Sequence, residues 1–549
     1  IMKNILIAVS CVLAITVGNI NLIAQENNYG VSSDRIKENV RTLSSDYFEG
    51  RAPSTMGETK TINYIKDKLQ DMGVQPGNGD SYFQGVELVN IKATSSDTQI
   101  EYEAGGEVFI AGNDIAITTK SVEERISVSG SEIVFVGYGA IAPEYGWNDY
   151  EGLDVKGKTV LILDRDPGQM ADDDTMFKGQ GVTYYARSSY KYEEAKRQGA
   201  AMALIIHDKD FTGAPWQRIQ AFTSRAALSL DPDKVPSQNL DMQGRIPKPS
   251  VEKLFEKAGM NFEQEKAKAL VKGFKGYSLN SSISVSLDVD VVRSTSQNVI
   301  GIIPGTERPD EYVFYLAHWD HLGTDKSLTG DQIYNGARDN ASGIAGILEI
   351  AQAHMNAGAP KRSIVILAVT AEESGLLGSY YYALNPIYPL NKTVTALNID
   401  TMNIYGRTKD VWVLGLGDSE IADFVYEAVE KKQKRDVTFF AHPEWGIEYR
   451  GDHFSFNRMG IPSIVVAGGY NTLDPTIDMD AKIADYDATK YHKLADEFTD
   501  ELNFEGTADD VISMFLIGND VANSSKFPNW HAGMEFKHLR DAYMKEIGR

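Results

Sequence analysis

The sequence of 549 residues contains a single cysteine, Cys11. One cysteine excludes a disulfide framework within the chain, which is the usual support of small extracellular domains. It also leaves no thiolate ligand for a metal ion anywhere beyond the first residues. Any metal site in the rest of the chain must therefore be built from His, Asp and Glu.

Positive charge is also scarce, with 54 Lys and Arg against 77 Asp and Glu and a net charge of −23. Nucleic acids and anionic lipid surfaces are bound by clustered Lys and Arg, so neither is expected as a partner. The 42% of hydrophobic and 10% of aromatic residues exclude a disordered chain. The length suggests two to four domains, and we interpret most of the acidic excess as solvated surface.

No apolar run has the length of a membrane span. The apolar run that comes closest to this length lies near the first residue. Lys3 precedes an apolar stretch over residues 5–17, and the small residue Ala24 follows. A charged start, a short apolar segment and a small residue are typical of a secretory signal peptide. We therefore predict a signal peptide over residues 1–25 and an exported chain, periplasmic or extracellular, with no integral membrane segment after cleavage.

The remaining sequence divides into three blocks by its pattern. In the N-terminal block, residues 26–107, apolar residues recur at helical spacing from Arg35 to Asp71, which predicts two amphipathic helices. The middle block, residues 108–288, has short apolar runs punctuated by glycine and proline and lacks clustered His or carboxylate motifs. We predict that it is a strand-rich insertion.

In the C-terminal block, residues 289–549, apolar runs alternate regularly with helical patterns. Near-continuous apolar strands that alternate with helices indicate a mostly parallel mixed sheet covered by helices on both faces, and therefore an α/β fold. The strands are predicted at 299–303, 312–316, 363–369, 394–399, 411–414 and 461–466. Ligands of such sheets bind beyond the carboxyl ends of the strands.

Residues that can bind metal follow several of these predicted strands. Two more lie in loops, and the complete set is His318, Asp320, Asp339, Glu372, Glu373, Asp400 and His492. Buried carboxylates are costly unless they are paired or bound to metal. Nitrogen and oxygen ligands without thiolates suit zinc or a similar divalent ion. Two His with three of these five carboxylates already exceed the needs of one tetrahedral site with an open position, and suit two ions that share a carboxylate.

Local spacing within this set suggests different roles for its members. In His318-x-Asp320, the aspartate can orient the histidine by accepting its other ring proton. Glu372 and Glu373 are adjacent and point in different directions, so one can bind metal while the other contacts a water molecule.

As an ordered set, these motifs resemble the co-catalytic zinc aminopeptidase family, which also contains glutamate carboxypeptidase and the transferrin receptor. The motifs are His318-x-Asp320, Asp339-Asn340, Glu372-Glu373-x-Gly375, Asn398-x-Asp400 and Tyr491-His492. Supporting matches are Phe48-Glu49-Gly50-Arg51 and the segment from Tyr449 to Phe456. The middle block, with its run Phe135-Val136-Gly137-Tyr138-Gly139, is similar to the protease-associated domain that is often inserted in this family.

The resemblance implies two zinc ions per chain and a role for each ligand. It places His318 and Asp400 on one zinc, Glu373 and His492 on the other, and Asp339 between them. Asp320 would support His318, Glu372 would be the general base, and Tyr491 would polarise the scissile carbonyl. It also implies a cis peptide bond between Asp339 and Asn340.

A few further residues near these motifs need an interpretation. Arg450, Asp452 and His453 lie in a family-like segment, where contact with the substrate and a structural salt bridge are both open. His321 follows the first motif, and we expect it at a helix start or in a loop.

The favoured hypothesis is an exported zinc exopeptidase that acts on peptides, and specifically an aminopeptidase. The alternatives are a carboxypeptidase or dipeptidase of glutamate-carboxypeptidase type, and a non-catalytic binding protein of transferrin-receptor type. A glutaminyl cyclase is disfavoured by the inserted block. All five ligand positions and Glu372 are intact, which favours an enzyme. The sequence leaves the oligomeric state open.

Overall fold

A computed structural model describes residues 28–102, 113–171, 173 and 175–549. The predicted signal peptide lies outside the described residues. Within them, no helix combines the length and the apolar character needed to cross a bilayer.

The strands lie mainly in one large mixed sheet that extends from the C-terminal block into the middle block. In chain order they are β1 (Gln75–Pro76), β2 (Phe83–Tyr102), β3 (Ala116–Thr119), β4 (Arg125–Phe135), β5 (Ile141–Ala142), β6 (Trp147–Asn148), β7 (Thr159–Ile162), β8 (Met202–His207), β9 (Ala227–Leu230), β10 (Met242–Pro247), β11 (Tyr277–Ile303), β12 (Arg308–His318), β13 (Gly323–Thr324), β14 (Ile333–Tyr334), β15 (Arg362–Val369), β16 (Thr393–Asn398), β17 (Asp410–Leu414), β18 (Asp436–Phe439) and β19 (Ser463–Gly468).

Helices flank this sheet and connect its strands. They are α1 (Ser33–Leu43), α2 (Met56–Asp71), α3 (Pro167–Ala171), α4 (Ser188–Arg197), α5 (Lys209–Thr212), α6 (Trp216–Thr223), α7 (Lys248–Lys257), α8 (Phe262–Ala269), α9 (Ser342–Ala357), α10 (Leu377–Leu384), α11 (Ile421–Tyr426), α12 (His453–Asn457), α13 (Met479–Thr489), α14 (Glu505–Asn523) and α15 (Lys537–Glu546). The two amphipathic helices predicted for the N-terminal block correspond to α1 and α2.

The centre of the sheet consists of the parallel strands β15, β12, β16 and β19. Alternate residues of β12 belong to two separate cores, because successive side chains of a strand point to opposite faces. Val313 and Tyr315 pack with α9 and α14, whereas Phe314 packs with residues of α10 and α12. Helices thus cover both faces, and the predicted α/β fold class is confirmed.

The middle block has a hydrophobic core of its own. We predicted a strand-rich insertion, but helices accompany its strands in an α/β arrangement. Strands β4, β7, β8 and β10 are parallel neighbours, and α7 packs on β8 and β10. The long strand β11 pairs antiparallel with β2, β4 and β15 and so belongs to both blocks. The boundary that we predicted at residues 288 and 289 falls inside this strand, at a register shift after which the pairing of β11 with β2 continues into the C-terminal block.

Candidate metal centre

The parallel strands bring the predicted metal ligands together at their carboxyl ends. His318 is the last residue of β12, and Asp400 follows β16 by two residues. The Nε2 atom of His318 lies 3.3 Å from an oxygen of Asp400 and 3.3 Å from Oδ1 of Asp339. These three side chains form a cluster whose ligand atoms could hold one metal ion.

A second cluster lies on the other side of Asp339. The Nε2 atom of His492 lies 3.1 Å from Oδ2 of Asp339 and 2.9 Å from Oε2 of Glu373. Nδ1 of His321 contacts Oε1 of Glu373 at 2.7 Å, and His321, Asp339 and Glu373 also form a group that could hold an ion. The two oxygens of Asp339 therefore face different histidines, as a carboxylate shared between two ions would.

The loop that carries Asp339 is fixed by buried polar contacts. The carboxylate of Asp496 accepts hydrogen bonds from the backbone N–H groups of Arg338 and Asp339 at 3.1 and 3.0 Å. The peptide bond between Asp339 and Asn340 is cis, as the resemblance implies. The Asn340 amide donates to the carbonyl of Ile399 at 3.1 Å, which ties this loop to the end of β16.

Arg51 joins the same loop to the end of β12. Its fully buried guanidinium donates to the carbonyls of Trp319 at 2.9 Å, Asn335 at 2.5 Å and Gly336 at 2.9 Å. Burial lowers the pKa of Arg51 to about 10, opposed by the charge of Asp339, so the side chain remains a cation at neutral pH.

Asp320 is fully buried and acts mainly on the loop after β15. Its carboxylate accepts from the backbone N–H groups of Glu372 at 3.0 Å and Glu373 at 3.4 Å. The Nδ1 atom of His318 lies 3.1 Å from the main-chain carbonyl of Asp320 and 3.8 Å from its carboxylate. Asp320 thus supports His318 through its backbone, and it positions both glutamates through its side chain.

Glu372 faces the cavity beside the clusters and makes none of the histidine contacts made by Glu373. Burial raises the pKa of Glu372 well above its ordinary value, and the charges of Asp452 and Asp400 add to this rise against the effect of His318. A raised pKa gives the carboxylate a greater affinity for a proton, which suits a general base.

Four of the predicted ligands line a cavity of about 880 Å³ to which both the C-terminal and the middle block contribute, namely Asp339, Glu373, Asp400 and His492. Tyr491 and Arg450 line it with the ligand residues, and the Tyr491 ring stacks on His492 at 3.9 Å between ring centres. The structure therefore brings Glu372, Tyr491, Arg450 and the predicted ligands into one site.

The structure separates Asp452 from His453, which were predicted together. Asp452 is 1% exposed and does not line the cavity. The charge of His318 acts on the pKa of Asp452, and the charge of Asp452 in turn raises the pKa of Glu372. His453 is also buried at the start of α12, where its Nε2 contacts the Glu448 carbonyl at 2.9 Å. Because Asp452 is buried and lies outside the cavity lining, we withdraw the predicted substrate contact for it, whereas His453 lines the cavity and its contact with the substrate stays a prediction.

Sequence reasoning overlooked His321, Asp496 and Arg51 as parts of the site. His321 was expected at a helix start or in a loop, but its ring lies in the second cluster. The sequence signal for His321 was its position three residues after His318. Asp496 follows His492 by four residues, and Arg51 belongs to a supporting motif, but neither carries a local pattern that indicates its long-range contacts.

The donor set fits two divalent cations. It contains only nitrogen and oxygen donors, and one carboxylate lies between imidazoles on both sides. The Nε2 atom of His321 is buried and has no hydrogen-bond partner among the described residues.

Comparisons with known proteins agree with this geometry. Residues 298–514 match the model of peptidase family M28. The mouse protein named aminopeptidase NAALADL1 is 34% identical over 126 residues, which cover 22% of this chain and 15% of the relative. The glutamate carboxypeptidase 2 homolog of Caenorhabditis briggsae is 30% identical over 268 residues, 47% of this chain and 28% of the relative.

Among solved structures, an aminopeptidase from Aneurinibacillus sp. strain AM-1 has 16% identity and a TM-score of 0.46, covering 90% of this chain and 95% of that one. BSAP, a zinc aminopeptidase from Bacillus subtilis, has 18% identity and a TM-score of 0.41, covering 90% and 96%.

The family match confirms that residues 298–514 are an M28 peptidase domain, and with it the relationship to co-catalytic zinc metallopeptidases. The alignments with the two curated relatives span only 15% and 28% of their lengths.

Proposed function

We propose that this chain is an exported, zinc-dependent exopeptidase that hydrolyses the terminal bond of peptides, most favourably as an aminopeptidase. The observation that carries the proposal is the pair of His–carboxylate clusters that share Asp339, a residue that lines the cavity, within the M28 match. The predicted signal peptide supports export.

In this proposal two zinc ions are held by residues of the two clusters. His318 and Asp400 would hold one ion, Glu373 and His492 the other, and Asp339 both. Zinc, when bound, acts as a Lewis acid toward a carbonyl and lowers the pKa of a water molecule to about 7.

Glu372 would accept a proton from the attacking water and return it to the leaving amine. Such general acid–base catalysis contributes about 10²–10⁴ in rate. The Tyr491 hydroxyl would donate a hydrogen bond to the oxyanion that develops on the scissile carbonyl. Asp320 would keep Glu372 in place through the hydrogen bond that its carboxylate accepts from the backbone N–H group of Glu372.

The experiment is a panel of dipeptides with free, N-blocked and C-blocked termini, assayed with and without a chelator. We expect hydrolysis of free and C-blocked peptides, little hydrolysis of N-blocked peptides, and loss of activity with the chelator. Cleavage of N-blocked but not C-blocked peptides would instead indicate a carboxypeptidase. No metal-dependent hydrolysis of any peptide would contradict the proposal and favour a binding protein.

A further inference from the structure

His321 is a buried histidine to which the proposed function assigns no role. The residue is 1% exposed, and it lies outside the cavity lining that the described residues form. Contact with the peptide therefore does not explain this histidine. Its ring instead reaches the metal centre, where Nδ1 lies 2.7 Å from Oε1 of Glu373.

The His321 ring is confined by its surroundings. The backbone N–H group of His321 donates to the Arg51 carbonyl at 3.3 Å. The ring packs on Gly336, where a Cβ atom would lie 2.6 Å from the ring atoms Cγ and Cδ2, so a side chain at residue 336 would displace the ring. Gly336 also has a φ of +57°, a backbone conformation that favours glycine. A ring confined in this way can hold a flexible partner in one place.

Glu373 presents its two carboxylate oxygens to two different histidines. Oε1 contacts His321, and Oε2 lies 2.9 Å from Nε2 of His492. A glutamate side chain has several rotatable bonds, and ordering it costs conformational entropy. Because the His321 ring is confined, its contact with Oε1 keeps Oε2 beside His492, where the second proposed ion would bind.

The contact between His321 and Glu373 also has a defined direction. An ionised carboxylate has only acceptors, so Nδ1 of His321 carries the proton and donates it to Oε1. Hydrogen bonds to a charged carboxylate are stronger than those between neutral groups. Carboxylates that bind metal are commonly held by such a partner, and loss of the partner weakens metal binding about 10–100-fold.

We propose that His321 is a positioning residue of the metal centre, which holds Glu373 so that its Oε2 atom faces the second ion. This inference rests on the proposed function and deepens it. Asp320 has a different role, because its carboxylate accepts from the backbone N–H group of Glu373 at 3.4 Å and so acts on the main chain. The competing role is direct binding of the ion by His321, since His321, Asp339 and Glu373 form a group that could hold one.

The test is the zinc affinity of the full chain, measured for each ion by competition with a chelator. The proteins are the parent, His321→Ala and His321→Asn. An asparagine amide can place an N–H donor where Nδ1 lies, but asparagine is not among the usual ligands of zinc. The control is His538→Ala, because His538 is exposed and its Nδ1 contacts the Glu535 carbonyl at 3.0 Å.

We expect His321→Ala to weaken the binding of one zinc ion about 10–100-fold. His321→Asn should recover most of this affinity, and His538→Ala should bind zinc like the parent. The visible absorption spectrum of the cobalt-loaded protein gives a second readout. Because a positioning role leaves the ligand atoms unchanged, the spectrum of His321→Asn should match the parent's.

Parental affinity for both zinc ions in a folded His321→Ala, with circular dichroism like the parent's, would overturn the inference. Equal losses in His321→Asn and His321→Ala would overturn it as well, and an altered cobalt spectrum would then identify His321 as a direct ligand. Should His321→Ala not fold, His321→Leu replaces it, because leucine has a similar size and no donor. A parent chain that binds two zinc ions but hydrolyses no peptide would instead refute the proposed function and leave this inference standing.

Discussion

Single residues in this molecule are governed by burial and by the charges that surround them. Asp339 keeps a low pKa although burial opposes it, because His318 and His492 bind its two oxygens. Glu372, with no such bond, has a raised pKa. The same carboxyl chemistry thus has opposite pKa shifts at two positions, in agreement with the proposed roles of ligand and proton acceptor.

His354 shows the effect of burial without a counter-charge. It lies in α9, its Nε2 is 3.0 Å from the Tyr315 hydroxyl, and its ring packs against Phe515. Burial lowers its pKa to about 3.

The low pKa of His354 predicts a loss of stability in acid. Because the unfolded chain binds this proton near pH 6.5 and the folded chain near 3, stability present above pH 6.5 is lost as the pH falls through this window. At pH 5 the loss should be about 2 kcal/mol. The free energy of unfolding in urea, measured for the parent and for His354→Gln at pH 7.5 and pH 5, tests this expected loss. Equal losses in both proteins would contradict the assignment.

The residues of the site differ in how readily their positions can be predicted from the sequence. His318, Glu373 and Asp400 follow apolar strands, so their convergence follows from the parallel sheet alone. Arg51 could not be assigned in this way, because it lies 285 residues from Gly336, which it binds. Its role exists only in the folded chain.

At the scale of elements, Arg51 connects the turn after α1 to two ligand-bearing loops. Its guanidinium binds the Leu43 carbonyl at 2.8 Å as well as those of Trp319 and Gly336. Lysine has one compact ammonium and cannot reproduce this planar set of donors.

Arg51→Lys should therefore leave buried carbonyls unpaired and destabilise the protein by at least about 2 kcal/mol. The free energy of unfolding in urea measures this change, with the exposed Arg125→Lys as a matched control that should stay within about 0.5 kcal/mol. A loss in Arg51→Lys no larger than the control's would contradict the role of Arg51.

Elements were predictable where their pattern was local. Strands of the C-terminal block such as β12 and β15 include their predicted ranges. The length of β11 was not predicted, because the apolar pattern indicated only a short strand at 299–303, whereas the strand runs from Tyr277 to Ile303. Its partners β2 and β15 are distant in sequence, and they extend the ladder.

At the scale of the whole molecule, the cavity needs both blocks. Phe222 and Leu228 of the middle block line it together with Trp412 and Trp445 of the C-terminal block. No sequence pattern indicates that the two blocks meet at this cavity. Their contact depends on the Tyr184–Tyr449 ring pair and on the Arg458–Glu193 ion pair. The convergence of the His and carboxylate residues could be predicted from the sequence, and the shape of the cavity beside them could not.

The central claim is a two-zinc hydrolase in which Glu372 moves the proton. The most direct test measures bound zinc and peptide hydrolysis together in the parent and in Glu372→Gln. We predict two zinc ions per chain in both proteins and hydrolysis slower by about 10²–10⁴ in the variant. Hydrolysis by Glu372→Gln at the parental rate, or full activity of a parent chain without zinc, would contradict it.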